Sequence, residues 1–144
     1  MANYTKILVA VDLSDDSSTV IERGLAISAN NNAELHVIHV IEPLSFAYGG
    51  DIPMDFSGIQ DEIHQQASIQ LKRFGEKHGI GEDKQHIVLG RPEVEVHNKA
   101  EETGADLIVI GSHGRHGLAL LLGSTANGVL HGAGCDVLAV RVGD

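Results

Sequence analysis

The sequence predicts an α/β fold: a single open sheet of five parallel strands with helices on both faces. Three observations predict it. Aliphatic runs recur along the chain, as at Ile7–Val11 and within Ala105–Ile110. Strands buried on both faces read this way, because neither face meets water. Segments with apolar residues at helical spacing separate these runs, and strands that alternate with helices imply parallel pairing through crossovers. Aromatic residues are only 3% of the chain and Trp is absent, so the core must be built from Val, Ile, Leu and Ala.

The elements follow in order. Ile7–Val11 is a buried strand that ends at Asp12-Leu13-Ser14, and Ser14 or Asp15 is placed to cap the next helix. Val20, Leu25, Ala26 and Ala29 give that helix an apolar face, and Asn30-Asn31-Asn32 breaks it. Glu34–Ile41 is the second strand, closed by Glu42-Pro43. Its His36 and His39 are three apart and point to opposite faces. Leu44–Ser57, with Gly49-Gly50 and Pro53, reads as a long loop and a site of mobility or ligand cover. A helix from about Ile59 to His78 carries Ile63, Ala67, Leu71 and Phe74 at helical spacing, and Gly79 ends it. His86–Leu89 is a short strand. Pro92 opens a helix that runs to about Thr103. Ala105–Ile110 is the fourth strand, Gly111–Gly123 a glycine-bearing connection, Ser124 to about His131 a helix, and Asp136–Val142 the last strand.

The 144 residues suit one domain, spanning 1–144, with no repeat or linker to divide it. A net charge of -10 argues against a broad basic footprint for nucleic acid and against adsorption to anionic lipid. An anionic ligand therefore needs a local site of backbone amides. The single Cys135 cannot form an internal disulfide, and it precedes a buried strand as inert packing. The run Ile7–Val11 is too short for a signal peptide core, and no stretch reaches the roughly 20 apolar residues that span a bilayer. The expectation is a soluble, cytoplasmic protein.

In an open α/β sheet, ligands bind beyond the carboxyl ends of the strands, where strand order reverses. The first strand ends at Asp12, and the fourth runs into Gly111-Ser112-His113-Gly114. Gly111 and Gly114 allow close backbone approach. Gly123-Ser124-Thr125 stands at a helix start, where free N–H groups and the helix dipole favour phosphate. Asp12 suits a ribose hydroxyl or an adenine amino group, since an ionised carboxylate only accepts. Arg115 could reach a phosphate from the loop. Equally, these glycines could be turn punctuation and Ser124-Thr125 only a cap. The P-loop pattern and G-x-G-x-x-G after the first strand are both absent.

ILVAVDLS at 7–14, HVIE at 39–42, GSHGRHGLALLLGST at 111–125 and CDVLAVRV near the end together resemble the universal stress protein family. The likeness covers essentially the whole chain, and 111–125 is its specific part. The resemblance implies a Rossmann-like sheet of the adenine nucleotide alpha hydrolase-like type, with strand order 3-2-1-4-5. It also implies a homodimer through the last strand, 136–142, and a role in the stress response. One branch of the family binds ATP through G-x-x-G, nine residues, then G-[ST]. Here Gly111 and Gly114 are followed by Gly123-Ser124 after eight residues, one fewer. A loop can absorb such a deletion at modest entropic cost. Carried over by position, Asp12 would contact the adenosine end, and Ala10, Val11 and Val40 would line the adenine pocket. Gly111, Gly114, Gly123, Ser124 and Thr125 would hold ribose and phosphates, with Mg²⁺ or Mn²⁺ carried on the phosphates.

Other chemistry is harder to build. His113-x-x-His116 lacks a third metal ligand of known proximity. His64, His78 and His97 fall on helices and are expected in solvent. An efficient ATPase needs a positioned base or water and charge stabilisation, and Asp12 would sit at the wrong end of the nucleotide. Three readings remain: an ATP-binding regulatory module, a protein-interaction module of the same fold without nucleotide, and a slow ATPase.

Overall fold

The computed structural model describes residues 4–43, 57–113, 128–129 and 134–142. Five strands form one parallel sheet: β1 Lys6–Ala10, β2 Glu34–Ile41, β3 Gln85–Leu89, β4 Leu107–His113 and β5 Asp136–Val142. Among the described residues the full helices are α1 Ser17–Asn31, α2 Ser57–His78 and α3 Pro92–Thr103, with a 3-10 turn at Glu82–Lys84 before β3. The sheet order is β3-β2-β1-β4-β5, as the family resemblance implies. The long loop expected at 44–57 and the connection from Gly114 to Gly123 lie outside the described residues, apart from Ser57 at the start of α2. Of the helix expected near 124–131, only Gly128 and Val129 are described, and both are helical.

Alternation along each strand sends successive side chains to opposite faces. Ile7, Val9, Leu35, Val37, Leu107 and Val109 pack with Val20 and Ile21 of α1 and Leu71 of α2. Leu8, Ala10, Ile38, Ile108 and Ile110 pack with Val96 and Ala100 of α3 and with Val129. The central strands are thus covered on both sides, which explains their aliphatic runs. No helix among the described residues is long and apolar enough to cross a membrane.

Several boundaries differ from the sequence expectation, each for a physical reason. The N-cap of α1 is Asp16, and its side chain makes no capping bond. Ser14 is instead used in a turn described below. The buried stripe of α1 is Ser17, Val20, Ile21 and Gly24, while Ala26 and Ala29 are exposed. Gly24 sets this rotation: a Cβ there would stand 2.7 Å from Val9 Cγ2, so the helix lies close against β1. The C-cap is Asn32, left-handed at φ 54°, a conformation that asparagine tolerates better than most residues. β4 starts two residues late and runs on to His113, because Gly111, Ser112 and His113 pair with Val140, Arg141 and Val142 of β5.

At the N-terminal edge of the sheet, Asp106 ties the strands together. Its Oδ1 accepts from the N–H of Lys6 (3.1 Å) and its Oδ2 from the N–H of Thr5 (2.9 Å). Burial opposes ionisation of Asp106, but these N–H donors together outweigh it and hold the carboxyl below its ordinary range. The Tyr4 hydroxyl likewise donates to Asp136 Oδ2 at 2.7 Å, linking the start of the chain to β5.

Candidate functional site

The order of the sheet reverses at β1: β2 pairs on one side and β4 on the other. Ala10 pairs with both Ile38 and Ile110, so the chain beyond Ala10 and the chain from Gly111 onward diverge at this point. This is where an open α/β sheet receives ligands.

Beyond β1 the chain makes a tight, ordered turn. Asp12 Oδ1 accepts from the Ser14 N–H (2.9 Å), the Ser14 hydroxyl (2.6 Å) and the Ser17 hydroxyl (3.2 Å). Ser17 is 1% exposed, so its bond anchors the turn to the buried start of α1. Leu13, between them, is left-handed at φ 64°. That conformation costs a residue with a Cβ about 1–2 kcal/mol and persists only where the surroundings hold it. Here the Asp12 bonds and the packing of Leu13 against the core do so.

A cleft of about 370 Å³ opens beside this turn, lined by Asp12, Leu13 and His39 together with Ile59, Glu62, Ile63 and Gln66 of α2 among others. Ile59 and Ile63 are 49% and 37% exposed. The apolar stripe read in this helix is therefore split: Ala67 and Leu71 enter the core, while Ile63 faces the cleft. His39 Nδ1 lies 2.9 Å from the Val11 carbonyl oxygen. A carbonyl only accepts, so Nδ1 carries a proton. The polar lining of the cleft combines the acceptor carboxylates of Asp12 and Glu62 with His39 and the amides of Gln66 and Gln70, which both accept and donate. The two carboxylates suit hydrogen-bond donors such as hydroxyl or amino groups, and they repel a phosphate.

The structure distributes the expected site residues unevenly. Asp12 lines the cleft. Ala10 and Val40 belong to the α3-facing core, whereas Val11 belongs to the opposite core. Gly111 continues β4, and a Cβ there would stand 3.2 Å from Val20 Cγ2 and 3.5 Å from Val142 Cγ2. Its lack of a side chain thus has a packing reason as well. Gly114, Arg115, Gly123, Ser124 and Thr125 lie outside the described residues, as do the side chain of His113 and the whole of His116.

Sequence reasoning assigned no role to His39 or Leu13. The HVIE segment held the signal for His39, since its parity with Val37 places it on the cleft side of β2. Nothing in the sequence marks Leu13 as left-handed. His78 and His97, expected in solvent, are half-buried. His78 Nε2 lies 3.3 Å from the Ser18 hydroxyl, and burial pushes its pKa down. His97 Nε2 donates to the Val129 carbonyl at 2.6 Å. His64 is exposed. Cys135 is half-buried, and burial pushes its thiol pKa up, away from the reactive thiolate. No group of three His, Cys, Asp or Glu among the described residues could hold a metal ion.

Comparison with known proteins agrees with this architecture. Residues 3–141 match the model of the universal stress protein family. Universal stress protein A homolog 2 of Coxiella burnetii is 42% identical over 146 aligned positions, covering 99% of this chain and 98% of that protein. The solved structure of the protein MJ0577 superposes with a TM-score of 0.79 at 26% identity, covering 99% of both chains. A universal stress protein solved in complex with cAMP shares the fold, with a TM-score of 0.66 at 22% identity and 97% and 98% of the two chains covered. By sequence and by fold, this chain belongs to the universal stress protein family.

Proposed function

We propose that this protein is an adenine nucleotide-binding regulatory module of the stress response, with ATP as its ligand. The observation that carries the reading is the turn at the switch point, where Asp12 is held by Ser14 and Ser17 beside a cleft that the carboxylates of Asp12 and Glu62 line. That lining fits the hydroxyl and amino donors of an adenosine moiety. The same lining sets the ligand's direction, since phosphates must point away from Asp12 and Glu62. Gly111, Gly114, Gly123, Ser124 and Thr125 would be the residues to receive them, with Arg115 as a further candidate partner and any Mg²⁺ or Mn²⁺ carried on the phosphates. Ala10, Val11 and Val40 would support the adenine end. Another member of the fold is known in complex with cAMP, also an adenine nucleotide.

The protein would act as a cytoplasmic homodimer. β5 is an edge strand of the sheet, and an edge strand left unpaired offers its backbone to a second copy. Occupancy of the nucleotide site would alter contacts with the second copy or with a regulatory protein.

One observation favours a second reading, a protein-interaction module without nucleotide. Gly111 is packed closely against Val20, so a glycine there does not by itself call for a ligand. Calorimetric titration of nucleotide-free protein with Mg-ATP separates the two. The first reading expects saturable binding, weakened about tenfold or more in Gly114→Val and Ser124→Ala, the loss of roughly one charge-assisted contact. Absence of binding at millimolar ATP would establish the second.

A further inference from the structure

On the α3-facing side of the sheet, far along β2 from the cleft, three polar side chains form a chain of their own. Glu34 Oε2 lies 2.6 Å from His36 Nε2, and His36 Nδ1 lies 3.0 Å from Nε2 of His86 on β3. The side chain of His36 is 13% exposed. The imidazole planes are within 16° of parallel, and their centroids are 5.2 Å apart. That separation is the 3.0 Å N···N distance plus about one ring radius at each end. The two nitrogens therefore lie nearly on the line that joins the rings, which sit end to end with their in-plane lone-pair directions facing one another.

This geometry has room for a proton and little else. A tetrahedral metal needs two lone pairs that converge on a point off the N···N line. A hydrogen bond needs them collinear. The carboxylate of Glu34 only accepts, so His36 Nε2 carries a proton. In the neutral pair, His36 Nδ1 is then the acceptor and His86 Nε2 the donor. One added proton converts this to an imidazolium–imidazole bond along the same line, with Glu34 at its positive end. A second added proton leaves N–H facing N–H, and the contact cannot survive.

We propose that the His36–His86 pair is a one-proton acid sensor that ties the edge strand β3 to β2, taking up one proton in place and parting when a second arrives. The pair sits among charges from every neighbouring element. The bond to His36, with Lys84 of the 3-10 turn and Lys6 of β1, holds the Glu34 carboxyl below its ordinary range. Asp83 and Glu102 favour protonation of His86, while Lys99 of α3 opposes it. Burial, Lys99 and His36 together hold the His86 pKa below its ordinary value. The unfolded chain therefore binds more protons here, and the contribution to stability falls as pH drops below the ordinary histidine range.

The test is imidazole ¹⁵N NMR of the full chain from about pH 8 to about pH 4, with amide hydrogen exchange of β3 and β1 on the same samples. At the alkaline end, both His36 and His86 are expected as Nε2–H tautomers. The pair is expected to titrate in two separated steps shared by both rings. Through the second step, exchange at 85–89 should rise about tenfold per pH unit relative to β1, the slope for an opening that takes up one proton. Glu34→Gln should move the first step to lower pH. His86→Gln should abolish the excess exchange of β3. Independent single titrations of the two rings, or β3 exchange that follows β1 throughout, would overturn the proposal, and both are read on the native protein.

Discussion

At the N-terminal edge of the sheet, Asp106 takes donors from Thr5 and Lys6, 101 and 100 residues away in the chain. At the C-terminal edge, Asp12 takes them from Ser14 and Ser17, two and five residues away. Both edges use one carboxylate to gather backbone and hydroxyl donors, but the partners differ in reach. Asp106 fastens β1 to the start of β4, so its bonds close a long loop and contribute to global stability. Asp12 orders only its own turn, next to a left-handed Leu13, and stands at the rim of a cleft between that turn, β2 and α2. One edge is built to hold, the other to receive.

Substitutions should separate the edges in proportion to that difference. The largest effect should come from a position that serves both. Gly24→Val would drive α1 off β1, because even its Cβ would stand 2.7 Å from Val9 Cγ2. A loss of about 3 kcal/mol is expected in urea denaturation, together with weakened ligand binding. Asp106→Ala should cost about 1 kcal/mol by the same measurement, since it removes bonds from the Thr5 and Lys6 N–H groups at a partly exposed edge. Nucleotide affinity should be unchanged, and a matching loss of affinity would break the distinction between the edges.

The pH dependence of Asp106 sharpens it further. A carboxyl held below its ordinary range contributes stability above that range and loses it as pH falls through its folded value. The stability gap between the parent and Asp106→Ala should therefore narrow on acidification, read from denaturation midpoints across pH. The smallest effect is expected for Ser14→Ala. It removes the 2.6 Å hydroxyl bond to Asp12 while the backbone N–H bond remains. About 0.5 kcal/mol or less should be lost at this exposed turn.

Much of the fold was legible because the sheet is buried on both faces. Runs such as Ile7–Val11 leave little choice but a covered strand, and Asn32 and Gly79 ended helices where their residue types predict, both at positive φ. What escaped was decided by packing between elements. Gly111-Ser112-His113 has poor strand chemistry and is β only because β5 lies beside it. Ala26 and Ala29 read as core but are exposed, since the close approach at Gly24 fixes the rotation of α1. At the site, Asp12 was legible as the polar residue at the end of a central strand. For His39 only the face was legible, from its parity with Val37, because the bond to the Val11 carbonyl depends on β1 lying beside β2. Of the helical stripe Ile63, Ala67, Leu71 and Phe74, the partly exposed Ile63 turned out to line the cleft.

Thermal unfolding with and without Mg-ATP, on the parent, Asp12→Asn and Asp106→Ala, tests the central claim most directly. Asparagine at 12 can keep the acceptor used by Ser14 and Ser17, but it replaces the carboxylate with a neutral amide that presents a donor. The account predicts that the parent is stabilised by ATP, that Asp106→Ala starts lower but gains the full shift, and that Asp12→Asn starts near the parent and gains little. A parent that ATP does not stabilise, or an Asp12→Asn protein that shifts as far as the parent, would contradict it.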